Sequence, residues 1–238
     1  MLTRARTEAG RALRGLLLRR PVVGSASSAV EVARELVADG CRVALEQLPA
    51  PGGDVAAELV ALVGQLHVAG LAADCELTLP VTRLGVAGAL RVGRVAADAG
   101  VGVVLEGPAR DVDSVDLPTA GVVVAAREAG AEERCRTLGR GHVRLVPGPS
   151  TSGHRAVVDL AFVRCLNVLM AEEGRPGIAV SDPRLIAIAG ERAAWNGRTP
   201  ESWELVMPYG VLTQERRRLV AAGDTVRVTV TQVAGGRS

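Results

Sequence analysis

Short apolar runs alternate with amphipathic stretches along most of the chain, and this alternation restricts the fold more than any other feature. The runs are Arg42–Leu48, Glu76–Leu79, Gly102–Leu105, Val122–Ala125, His142–Val146, Gly177–Val180, Ser202–Val206 and Thr225–Thr231. They are nearly continuous in apolar residues, the mark of strands buried on both faces. Stretches of helical period separate most of them: Ser28–Asp39, Gly53–Ala69, Val86–Ala99, Ala131–Leu138, Val157–Glu172, Asp182–Trp195 and Thr213–Ala222. In Gly53–Ala69, for example, Val55, Leu59, Leu62, Val63 and Leu66 recur in step. Eight such strands in about 200 residues predict a (β/α)8 TIM-type barrel rather than an open doubly wound sheet.

The predicted barrel is incomplete in two places. Between the third and fourth strands lies only Gly107–Ala120, broken by Pro108 and Pro118 and too short for a normal covering helix. The sequence then stops at Ser238, which leaves no helix after the eighth strand. Two missing covers leave apolar strand faces open unless something else packs there, either the segment before Pro21 or a partner subunit. No linker or change of composition divides the chain after its start. We therefore expect an Arg-rich N-terminal arm, residues 1–27, followed by one barrel domain, residues 28–238.

Composition removes several functions. All 28 basic residues are arginine, so a Schiff-base lysine and a P-loop lysine are both excluded. Phe162, Tyr209, Trp195 and Trp203 are the only aromatics, too few for base stacking, and a net charge of +2 is no phosphate-binding footprint. Cys41, Cys75, Cys135 and Cys165 are widely spaced, which fits buried thiols in a cytoplasmic protein and neither a disulfide framework nor a zinc site. No apolar run reaches the ~18 residues needed to cross a bilayer. In the arm, Arg4, Arg6, Arg11, Arg14, Arg19 and Arg20 surround Leu13, Leu16, Leu17 and Leu18. A solvated arm is the simpler reading, and contact with an anionic membrane surface is the alternative.

Barrel chemistry sits at the C-terminal ends of the strands. Glu46 and Glu106 end the first and third strands, where a carboxylate pair could do acid–base work or bind arginine in a structural network. Asp182, ahead of Pro183, reads as a helix N-cap. His67, His142 and His154 have no carboxylate or nucleophile at a suggestive spacing. Gly148 and Ser150 could offer backbone N–H groups to an anion, but Pro147 and Pro149 remove donors around them.

The order of several segments resembles the proline dehydrogenase family, FAD-dependent (β/α)8 barrels that oxidise L-proline. Trp203-Glu204-Leu205-Val206-Met207-Pro208-Tyr209-Gly210-Val211 is similar to that family's Tyr-Glu-Phe-Gln-Met-Leu-Tyr-Gly-Val. Phe162–Met170 resembles its helix after strand five, and Ser181–Leu185 its Ser-Asp-Pro-Arg-Leu segment. Arg144-Leu145-Val146 resembles the start of Arg-Leu-Val-Lys-Gly-Ala-Tyr, and Leu45-Glu46-Gln47-Leu48 resembles Leu-Asp-His-Leu. The resemblance runs from about Ser28 to Val230. It implies FAD as cofactor, with Arg144, Gly148 and Ser181 at the cofactor, Tyr209 at the substrate, and Glu106 where the family has an aspartate.

The departures are as informative. The resemblance puts Pro80 and Pro147 at two functional lysine positions, Ala125 at a glutamine, Val180-Ser181 at a Thr-His pair, and Thr229 at a tyrosine. The paired arginines of a final helix have no counterpart. A zwitterionic substrate needs its carboxylate neutralised, and bidentate arginine does this best. Arg144 reads equally well as a flavin contact or as a structural arginine. Three functions follow: a non-catalytic homologue with a binding or partner role, an active flavoenzyme on proline or a related imino acid, or an enzyme of changed substrate with Glu46 or Glu106 as base.

Overall fold

The computed structural model describes residues 22–48, 53–148 and 155–233, and all of their side chains except those of Val22 and residues 155–159. The expectations for the Arg-rich arm up to Pro21, for Pro149 and Ser150, for His154 and for the last residues before Ser238 lie outside the described residues.

The strands are β1 (Val22–Val23), β2 (Arg42–Leu48), β3 (Cys75–Pro80), β4 (Gly102–Glu106), β5 (Gly121–Ala125), β6 (His142–Val146), β7 (Arg175–Ala179), β8 (Glu204–Pro208) and β9 (Val226–Val233). The helices are α1 (Ala26–Ala38), α2 (Val55–Val68), α3 (Val81–Asp98), α4 (Ala109–Val112), α5 (Ala131–Leu138), α6 (Arg155–Ala171), α7 (Pro183–Trp195) and α8 (Thr213–Ala221). Strands β2 to β9 pair in sequence order, all parallel, and β9 closes on both β8 and β2. This is the (β/α)8 barrel the alternation predicts. β1 adds two residues to the upper part of β9.

Each expected helix is present, Ala131–Leu138 with the bounds expected and the others shifted by one or more residues. The stretch read as Val86–Ala99 starts earlier, at Val81, because Gly85 at φ 66° joins a first turn to the main helix. Asp182 caps α7 by accepting from the Arg184 N–H at 3.0 Å, and Asp54 caps α2 in the same way.

Both expected gaps are covered from within the described chain. α1 packs on β9 and β2, the place a helix after the eighth strand would take, and buries Ala29, Val30, Ala33 and Leu36 there. The four-residue α4 and the turn after it bury Val112 and Val115 beside β4. Leu117 lies so close to Gly93 of α3 that a side chain at Gly93 would collide with it.

Outward strand residues such as Leu45, Leu77, Leu79, Leu145, Ile178, Leu205 and Val228 form the core with the helices. The alternate residues face the barrel interior, and many of these are charged or small.

Candidate functional site

The interior holds a charged network that sequence reasoning missed. Glu76 on β3, Arg144 on β6, Glu204 on β8 and Arg227 on β9 are buried there, with Arg144 and Glu204 only 2% and 3% exposed. Arg227 donates from Nε to Glu204 Oε1 at 2.6 Å and from Nη2 to Oε2 at 3.1 Å. Its Nη1 donates to the Val43 carbonyl at 3.1 Å, and its Nε lies 3.4 Å from Glu76 Oε1. Arg42 reaches Glu204 Oε2 at 3.4 Å. Arg144 pairs with Glu76 and donates to Thr78 Oγ1 at 2.9 Å. Burial pushes the Glu204 carboxyl up, but the charge and hydrogen bonds of Arg227 outweigh this and hold it below the usual carboxylate range.

Glycine on neighbouring strands makes room for this network. A Cβ on Gly102 would meet Glu76 Cβ at 2.9 Å, one on Gly121 would run into the His142 ring, and one on Gly177 would meet Glu204 Oε1 at 3.4 Å. The signal was present in the sequence: each of Glu76, Arg144, Glu204 and Arg227 is a charge at the inward phase of an otherwise apolar strand, where lone charges are rare unless paired.

His142 corrects an expectation. No carboxylate stood near it in sequence, yet Glu76 Oε2 lies 3.4 Å from its Nε2, because β3 and β6 face each other across the barrel. Its Nδ1 is 2.8 Å from the Arg175 carbonyl, which makes Nδ1 the protonated nitrogen of the neutral ring. Burial pushes the imidazole pKa below its ordinary value, although the Glu204 charge pulls the other way. Glu76, His142 and Glu204 bring ligand atoms within 4.8 Å of one another, a spacing a metal ion could bridge. The negative charge of both glutamates already faces guanidinium groups, so a cation would have to displace an arginine.

Among the residues predicted from sequence, Glu46 and Arg144 come together, with Nη1 to Oε1 at 3.8 Å. Glu106 is half-buried at the upper end of β4, beside Pro80 in the register. Gly148 sits at φ 83°, where a Cβ would meet Ala125 Cβ at 3.2 Å, so its glycine is explained by its own backbone and packing. Ser181 is exposed ahead of the Asp182 cap. Tyr209 is half-buried against the core, and its N–H donates to the Thr229 carbonyl at 2.9 Å.

Comparison with solved structures gives the architecture a name. The barrel aligns with proline utilization A from Bdellovibrio bacteriovorus inactivated by N-propargylglycine at a TM-score of 0.73 and 16% identity, over 92% of this chain and 31% of that one. The chain has a proline dehydrogenase-like fold. Proline utilization A from Corynebacterium freiburgense matches at a TM-score of 0.69 and 15% identity, over 94% of this chain and 30% of the other. A variant of the Bradyrhizobium japonicum protein matches at 0.65 and 14%, over 88% and 28%. The proline dehydrogenase-like barrel therefore spans about three-tenths of these proteins, and the likeness is one of fold. No protein-family model and no curated protein matches the chain.

Among the described residues, three strand ends at the mouth of this proline dehydrogenase-like barrel lack the donors a flavin takes. A reduced or oxidised isoalloxazine is tuned by donors held against its ring nitrogens. Pro80, Ala125 and Pro147 stand at the strand ends where the resemblance places polar contacts, and none carries a side-chain donor. The Arg144 guanidinium, which the resemblance places at the cofactor, lies in the interior against Glu76 and Thr78, while Arg127 stands at the mouth beside Gly148.

Proposed function

We propose that this chain is a catalytically degenerate proline dehydrogenase-like barrel that acts by binding a partner and does not oxidise an imino acid. The observation that carries this reading is the position of Arg144. A substrate carboxylate or a flavin phosphate would need its charge, and that charge is already matched by Glu76, with Glu46 and Thr78 close by. Drawing a buried guanidinium away from its carboxylate leaves an unpaired buried charge, a penalty of about 3–5 kcal/mol that ligand binding would have to offset. Arginine in place of the family's lysines would have kept positive charge at the mouth, and proline at Pro80 and Pro147 keeps none.

The same network explains why the fold persists without the chemistry. Paired glutamates and arginines fill the lumen, with Gly102, Gly121 and Gly177 making room for them. Free, buried thiols at Cys41, Cys75, Cys135 and Cys165 support a cytoplasmic setting. No helix among the described residues is long and apolar enough to cross a membrane.

The test is proline-dependent reduction of a dye acceptor by purified protein supplied with FAD. We expect a rate no greater than that without protein. A saturable, proline-dependent rate would overturn the proposal and restore the family's activity, FAD-dependent oxidation of L-proline or a related imino acid to the pyrroline carboxylate.

A further inference from the structure

Two of the four cysteines are held as a pair. Cys135 on α5 and Cys165 on α6 belong to one apolar cluster and are 0% and 2% exposed. Their helices follow successive strands and pack side by side on the outside of the barrel. The Cys135 thiol donates a hydrogen bond to the Cys165 sulfur. That bond, with burial, keeps the proton on Cys135, and it draws Cys165 below the ordinary thiol range although burial opposes this. Cys41 and Cys75 are buried too, but arginine and aspartate, not a thiol, are the groups that act on them.

The two helices are anchored unequally. α5 has eight residues, of which Ala131 and Cys135 are buried and Leu138 is half-buried. Gly130 stands at its N-cap, so no side chain caps its first turn. The Arg134–Asp113 pair at its edge is largely exposed on the Asp113 side and holds it weakly. α6, by contrast, buries Phe162, Cys165, Leu166, Leu169 and Met170. A short helix with so few buried side chains opens locally at far less cost than the whole barrel unfolds. That opening carries Cys135 outward and uncovers Cys165 beneath it, enough for a small neutral solute to reach both sulfurs.

We propose that Cys135 and Cys165 form a peroxide-responsive dithiol, which closes to an intramolecular disulfide and staples α5 to α6. Both are free thiols in this structure, the reduced form. A disulfide needs its cysteines held side by side by the backbone, and two sulfurs already in hydrogen-bond contact have only a short further approach to make. Cys165, as thiolate, attacks one oxygen of hydrogen peroxide. The S–O bond forms, the O–O bond breaks, and the departing hydroxide takes up the Cys165 proton as water. The Cys135 sulfur then attacks the sulfenic sulfur of Cys165. The S–S bond forms, the S–O bond breaks, and this hydroxide leaves with the Cys135 proton as a second water. The two sulfurs together lose two electrons, and the peroxide gains them. The bond closes the loop of residues 135–165, which opposes the opening of α5 that admitted the oxidant.

The test treats the reduced full chain with hydrogen peroxide, then unfolds it in guanidinium chloride with N-ethylmaleimide and maps the peptides by mass spectrometry. We expect a Cys135–Cys165 link in a monomer two hydrogens lighter, reversed by dithiothreitol, with Cys41 and Cys75 recovered as maleimide adducts. Hydrogen exchange of the α5 amides is expected to slow by about tenfold or more in the oxidised chain, while the strands exchange as before. Cys165→Ala should abolish both the link and the slowing. The wild-type map stands without that variant, whose core is altered. Recovery of Cys135 and Cys165 as maleimide adducts, at a dose that fully oxidises free cysteine, would overturn the proposal. So would a bond to Cys41 or Cys75, a disulfide between two chains, or a sulfinic acid on either cysteine without the link. A link that leaves exchange in α5 unchanged would overturn the staple.

Discussion

Arg227 and Glu204, on adjacent strands of the barrel, are joined inside the lumen by two hydrogen bonds of 2.6 and 3.1 Å. A guanidinium fork matched to a carboxylate is strong only while both partners are present. Arg227→Met alone leaves Glu204 buried with only Arg42, at 3.4 Å, to pair its charge among the described guanidinium groups in contact with it, and is expected to destabilise the protein by about 3–5 kcal/mol. Replacing both, Arg227→Met with Glu204→Leu, removes the buried charges together and is expected to cost much less than the single change. Urea denaturation of the two variants measures this. A double variant as unstable as the single one would mean the pair contributes net stability of its own.

The Gly121–His142 contact gives a steric prediction. The two residues are opposite each other on β5 and β6, and a methyl group on Gly121 would overlap the imidazole. Gly121→Ala is expected to lower stability by about 1–3 kcal/mol, the usual range for overpacking. Combining it with His142→Ala, which empties that space, should recover part of the loss. Thermal melts of the three proteins decide the matter, and additive losses would place the strain elsewhere.

His142 also sets a pH dependence. Its folded-state pKa lies below the ordinary 6.5 because burial disfavours the imidazolium. The unfolded chain therefore takes up the proton first, and stability present above pH 6.5 falls as the pH drops through the range of the folded ring. Glu76, Glu204, Arg227 and Arg175 are the charged groups that face or adjoin it. His142→Gln is expected to flatten the stability profile between pH 7 and 5. The carboxylates of Asp113 and Glu215, held low by Arg134 and Arg218, titrate at lower pH and leave that window unchanged. An equal slope in wild type and variant would contradict the burial of a neutral ring.

The barrel was legible in the sequence because strands buried on both faces read as apolar runs, and parallel strands must be separated by covering helices. The short cover after β4 was legible as well, from Pro108 and Pro118. What replaces a helix after β9 was not: α1 looked like any amphipathic helix, and nothing in Ser28–Asp39 says which strands it covers. The interior network was hidden for a different reason. Arg144 lies 66 residues after Thr78, and Glu76 is as far from His142, so only closure of the sheet brings β3 against β6. Glu46 and Arg144 were each singled out but not as partners of one another, and spacing alone could not distinguish arginine held by the lumen from arginine offered to a ligand.

The thiols provide a check on burial. Cys75 is pushed up to about 12 by burial, and Cys41 is raised for the same main reason. The thiolate is the reactive form, so neither should react with a disulfide reagent in the native protein at pH 8. Reaction of both is expected only after unfolding in guanidinium chloride. Rapid native labelling of Cys75 would show that β3 is not covered as described.

A fluorescence titration of FAD with the purified protein tests the proposed absence of flavin chemistry most directly. With Pro80, Ala125 and Pro147 at the mouth and Arg144 held by Glu76, flavin fluorescence should stay unchanged up to a large molar excess of protein, and the protein should purify colourless. Saturable quenching at one flavin per chain, lost in Arg144→Ala, would contradict this and return Arg144 to the cofactor.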